Sequence, residues 1–118
     1  MQQNFEQIAA AQKAMADAIA QLERLADKVG MARQIVEFAG DRRKAALSVL
    51  VVEMFKIHES TVAAEHHARA DSRYAEKMKE IQTQTAEAEK VIKQWELAKI
   101  KHDSARSILS MEKTLLDM

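Results

Sequence analysis

The amino-acid sequence predicts an all-α protein: a long antiparallel helical hairpin, coiled-coil-like, with a short helical corner. Three observations lead there. The 118-residue chain has no proline and only two glycines, Gly30 and Gly40. From Asp41 to Met118 it has neither, so the whole second half lacks the usual turn-makers. Over most of that length apolar residues recur at helical spacing. Such a backbone has few options besides long helices joined by few corners.

The expected organisation is a single helical domain over 1–118, with one arm at 4–57, a corner at 58–71 and a second arm at 72–117. A rod of this size buries less surface per residue than a sphere does. Self-association is the direct way to cover what remains, so the expected state is a homo-oligomer, dimer or higher.

The first arm begins near Asn4, a suitable N-cap. Ile8, Met15, Leu22 and Val29 follow at intervals of seven, with Ala11, Ala18 and Leu25 three residues behind the first three. Alanine at two of these d positions lets a neighbouring helix approach closely. Gly30 then reads as a bend, a tolerated helical glycine or a loop. Met31, Ile35 and Phe38 are expected to resume the apolar period beyond it.

Asp41 is placed to cap the next segment after Gly40. Residues 45–57 carry two stripes: Leu47, Leu50, Val51, Met54 and Ile57 on one, Ala45, Val49, Val52 and Phe55 on the other. An offset of two residues is about 200° around a helix, so the stripes lie on opposite faces. Burying both needs a third layer or a second subunit. The run Val49 to Val52 also has strand character, but nothing nearby offers it a pairing partner.

Ser60 and Thr61, with Glu65 close behind, read as a helix stop and restart, leaving a short helix at about 62–70. Asp71 and Ser72 mark a second restart. The last helix runs on a seven-residue line through Tyr74, Ile81, Ala88, Trp95, His102, Leu109 and Leu116. Met78, Thr85 and Ile92 flank it, followed by Ala98 and Ala105. Glu65 with Arg69, Glu89 with Lys93 and Lys99 with Asp103 are opposite charges at supporting i,i+4 spacing.

Eighteen basic residues balance eighteen acidic ones. Zero net charge argues against non-specific attraction to DNA or to an anionic membrane as the main task, though a local basic face stays open. The absence of cysteine excludes disulfides and thiolate chemistry. The opening residues, Met1 to Glu6, lack the basic and apolar regions of a secretory signal. The run Val49 to Val52 falls far short of the ~20 apolar residues that span a bilayer. A cytoplasmic protein without a membrane partner is expected.

The stretch Glu59 to Tyr74, ESTVAAEHHARADSRY, resembles a family of small coil-containing helical proteins of tailed phages and prophages. In that family a turn of the form A-R-A-x-S-x-x-Y precedes a long charged helix; Ala68 to Tyr74 here reads A-R-A-x-S-x-Y, one position shorter. An A-R-S-hydrophobic segment closes that helix, and Ala105-Arg106-Ser107-Ile108 stands in its place. The similarity covers about 42–117. Genes of such proteins often lie near single-strand annealing recombination genes. The resemblance therefore implies an accessory role in phage DNA recombination or replication, within the host cytoplasm, alongside a phage recombination protein. It transfers no catalytic residue.

Several residues invite sharper readings. His67 and Asp71 have ligand-compatible i,i+4 spacing, with Glu65 or His58 as a conceivable third ligand. His66 and His67 point about 100° apart, no second intact pair exists, and the plainer reading is a polar helix near a corner. No metal site and no cofactor are expected. His102 shares its line with Trp95 and Leu109, and reads as a polar residue that sets helix register. With Val49, Val52, Phe55 and Trp95 it makes the expected core or oligomer seam. The methionines along the seams read as core filler.

Arg42, Arg43 and Lys44, together with Lys90 and Lys93, are the candidate contacts to nucleic acid or to a partner. Asp41, Glu89, Glu96 and Asp103 are interleaved with the basic residues, and the aromatics fall mostly on core stripes, so little or no nucleic-acid binding is expected. A Gly-rich phosphate loop, a nucleophile elbow and paired acids on an apolar floor are all missing, which points away from an enzyme. The leading expectation is a non-enzymatic protein acting by protein–protein contact. Its rivals are a direct single-stranded DNA binder, a virion structural or assembly protein, and a small inhibitor of a host defence system.

Overall fold

A computed structural model describes the backbone of residues 2–117 and the side chains of residues 4–117. The described residues are all-α, built from α1 (Gln2–Glu37), α2 (Ala39–His58), α3 (Thr61–Ala70) and α4 (Ser72–Asp117). It divides into two compact units. One comprises Met1–Gly30 with Lys90–Met118, the other Met31–Glu89.

In the first unit, Ala11, Ala18, Leu25 and Val29 of α1 are buried, as are Ala98, Ala105 and Glu112 of α4. Each helix contributes residues seven apart, so one narrow face of each is covered. Asn4 lies inside α1 and not at its cap, because the helix already runs from Gln2.

In the second unit, Arg42 donates from Nη1 to Gln84 Oε1 at 2.6 Å. Arg73 donates to the Glu53 carboxylate. Position 53 lies eleven residues after 42, and position 73 eleven before 84, so α2 and the start of α4 run antiparallel here. Eleven residues are about three helical turns, which keeps both ties on one face.

Gly30 sits inside α1 and Gly40 inside the first turn of α2, neither with a positive φ. Because α1 continues without a break, its heptad phase continues too. On this phase Ala32 in α1 is buried, seven residues past Leu25, as is Ala39, the first residue of α2, fourteen past it. Of Met31, Ile35 and Phe38, expected to resume the period, Ile35 is half-buried, whereas Met31 and Phe38 are 67% and 49% exposed.

The corner is built by short-range hydrogen bonds. α2 ends at Glu59, which takes a left-handed conformation (φ 46°) and donates its N–H to the Phe55 carbonyl at 3.3 Å. That is the usual way to satisfy a terminal carbonyl, here without glycine. Ser60 caps α3 by accepting from the Ala63 N–H. Asp71 starts α4 by accepting from the Arg73 N–H at 2.8 Å. Between the caps, Ala64 and Ala68 are wholly buried, and these two small side chains let α3 lie close to the unit's core.

Among the described residues, nine of the thirteen buried apolar ones are alanine; the others are Leu25, Val29, Leu50 and Ile81. Burial stabilises in proportion to area, at roughly 25 cal/mol per Å². An alanine seam therefore contributes little per position and leaves the larger apolar side chains outside it.

Candidate functional site

α2 shows where the surplus lies. Its inner stripe is covered at Leu50, with Leu47, Val51 and Met54 half-buried. The outer stripe is open: Val49, Val52 and Phe55 are 67%, 63% and 47% exposed. Ile57, expected on the same stripe as Leu50, is exposed as well, at the last turn of α2. The single chain thus covers one of the two faces that the spacing of residues 45–57 marks as apolar.

The other seam residues behave differently. Trp95 and His102 are half-buried on the inward-facing line of α4. His102 Nδ1 lies 3.3 Å from Asp103 Oδ1, its sequence neighbour.

The basic residues do not form one site. Arg42 is half-buried and engaged with Gln84, so it serves the fold of the second unit. Arg43 and Lys44 are exposed on α2 in that unit, and Lys90 and Lys93 are exposed on α4 in the first.

At the corner, the His58 and His67 rings stack, with centroids 3.9 Å apart and planes 6° from parallel. His66 meets His67 edge-on at 5.8 Å. Asp71 is taken up by Arg73, which donates from Nε, Nη2 and its backbone N–H. This pairing, first through the side-chain hydrogen bonds and then the backbone one, holds the Asp71 carboxyl below its usual range. The His67 ring thus packs against His58 and His66, while the Asp71 carboxylate is engaged by Arg73. Among the described residues, no group of three histidine or acidic side chains is arranged to hold a metal ion.

The first unit holds a groove of about 710 Å³ between the start of α1 and the end of α4. Ala10 and Ala14 form much of its floor on α1, with Ile100, Ile108 and Met111 on α4. Asp17, Lys101 and Glu112 bring charge to it. Glu112 is 5% exposed, and its Oε2 has no hydrogen-bond partner among the described residues. The sequence did carry a signal for this groove. Leu97, Lys101, Ser104, Ile108, Met111 and Leu115 alternate at intervals of four and three. The seven-residue line through Trp95 and His102 on the inner face overshadows that second pattern.

No helix of the described residues is long and apolar enough to cross a membrane. Comparison with protein-family models, with curated proteins and with solved structures finds no match to this chain.

Proposed function

We propose that this chain is a non-enzymatic, homo-oligomeric helical hairpin that works by protein–protein contact. The observation that carries this reading is the outward stripe of α2, where Val49, Val52 and Phe55 stand exposed on a helix whose other side is already packed. Apolar faces at helical spacing are what helix-in-groove and bundle contacts use. Engagement of Arg42 by Gln84 weakens the competing reading of residues 42–44 as a phosphate grip. The setting we propose, phage or prophage DNA recombination or replication in the host cytoplasm, rests on the resemblance of the Ala68–Tyr74 turn and the Ala105–Ile108 segment.

Titration of labelled single- and double-stranded oligonucleotides at low salt and at about 150 mM salt tests the reading, since screening removes weak surface attraction at the higher value. The expected result is no binding that survives the higher salt. Strand-selective binding that persists there would replace the proposal with a direct single-stranded DNA binder.

A further inference from the structure

The groove between α1 and α4 holds a buried acid with nothing to pair with. A carboxylate as enclosed as Glu112, with Oε2 unpartnered, costs free energy until a donor or cation reaches it. Its surroundings are shaped for a helix. On α4 the stripe Leu97, Lys101, Ser104, Ile108, Met111, Leu115 has the alternating spacing of a coiled-coil seam. Its apolar members remain open: Leu97, Met111 and Leu115 are 52%, 60% and 54% exposed. On α1 the groove is lined at 7, 10, 14, 17 and 21, again at alternating intervals of three and four. The small side chains of Ala10 and Ala14 leave room there for an incoming helix.

We infer that this groove is a homodimer interface, filled by α4 of a second copy running antiparallel, with the second copy's Lys101 reaching Glu112. The inference rests on the homo-oligomer reading above and adds to the α2 stripe, which carries that reading, a second self-association face in the first unit. Charge complementarity selects the occupant. Lys101 lines the same groove as Glu112 and makes no ion pair among the described residues. It precedes Glu112 by eleven residues, three turns, and so shares its side of the helix. A two-fold axis near Arg106 makes the stripe self-complementary. Leu97 and Leu115, Lys101 and Met111, and Ser104 and Ile108 are each equidistant from Arg106. Antiparallel pairing about that point sets Leu97 against Leu115 and Ser104 against Ile108. It lays the Lys101 stem over Met111 with its ammonium beside Glu112, and the symmetry repeats the pair. An apolar helix from elsewhere would fill the space and leave the carboxylate orphaned.

The chain has no cysteine, so introduced thiols report without background. Ser104→Cys and Ile108→Cys proteins are oxidised separately and as a mixture, and the solution mass of the unmodified and Lys101→Glu chains is measured. The inference expects a dimer, cross-linking in the mixture, and little in either variant alone. It also expects Lys101→Glu to raise the dimer Kd by roughly 30-fold or more, as loss of a buried charge pair does. Adding Glu112→Lys to that variant should recover much of the affinity. Lys101 is exposed, so its single substitution cannot be confused with unfolding, and far-UV circular dichroism checks the double variant. Cross-linking of Ser104→Cys alone would overturn the antiparallel arrangement. A dimer that ignores Lys101→Glu and fails to cross-link in the mixture would overturn this interface while leaving self-association through another face. A monomer would overturn both.

Discussion

Arg73 Nη1 donates to both carboxylate oxygens of Glu53, at 3.1 and 3.0 Å, tying the first turn of α4 to α2. The same guanidinium holds Asp71, which in turn caps α4. The two acids do different work. Both partners of the Glu53 pair are half exposed, and exposed pairs contribute little. Asp71 has a less exposed side chain and accepts from a backbone N–H at a helix start. Substituting Glu53→Gln should therefore leave thermal stability almost unchanged, whereas Asp71→Ala should lower it clearly. Asp71→Asn should fall between, because the amide oxygen keeps the cap and loses the charge. Thermal melts of the three variants check this ordering.

A pH dependence follows from the same group. Asp71 is held below its ordinary value by Arg73, so the folded chain binds this proton more weakly than the unfolded chain. Its contribution is present in full above the unfolded carboxylate value, about 3.9, and is lost as pH falls through the lower folded value. The melting-temperature gap between the native chain and Asp71→Asn should be constant from neutral pH down to that point and then close. A gap that widens with acid would refute the assignment.

The glycines are misplaced with respect to backbone need. Gly30 and Gly40 lie in helix, and a Cβ built at either meets nothing within 4 Å. Gly30→Ala and Gly40→Ala should each stabilise the chain by roughly 0.5–1 kcal/mol. The position that suits glycine is Glu59, whose φ is 46°. Glu59→Gly should stabilise as well, by up to about 1 kcal/mol, since a left-handed backbone is costly for other residues. Chemical denaturation of the three variants gives the comparison.

Among the described residues Ile81 is the largest wholly enclosed side chain, in a core otherwise rich in alanine. Ile81→Ala should cost about 2–5 kcal/mol, the range for emptying a packed site. The opposite fault is expected at Ala98, also fully buried, where Ala98→Leu forces a larger group between close helices at a cost of about 1–3 kcal/mol. Denaturant midpoints would show both losses; a neutral Ala98→Leu would mean that this seam is looser than described.

The corner was legible in the sequence because its signals are local. Ser60 and Asp71 cap their helices where their type and position suggest. The Glu65–Arg69 pair forms at 3.0 Å, as its spacing implies. The seam before Gly30 was legible too, since periodicity reports a continuous helix well. Beyond it the large apolar residues Met31, Ile35 and Phe38 carry the hydropathy signal, whereas the buried positions 32 and 39 are alanines. A small residue at a close-packed position carries almost no hydropathy signal, yet it is what the packing selects.

The functional face was harder to see. Of the basic residues, Arg42 proved to be an inter-helix tie to Gln84, a pairing forty-two positions apart that no local pattern announces. Glu112 falls seven and fourteen residues after Ala105 and Ala98, on the inner line of α4, where its type gives no hint of burial. Only the three-dimensional placement of α1 beside it makes an ordinary surface-type residue an orphaned charge.

Self-association is the central claim, and sedimentation equilibrium of the unmodified chain over a micromolar concentration range tests it most directly. The account predicts a mass of two or more chains, shifting toward one only on dilution. A single-chain mass across the range, with helicity intact, would contradict it.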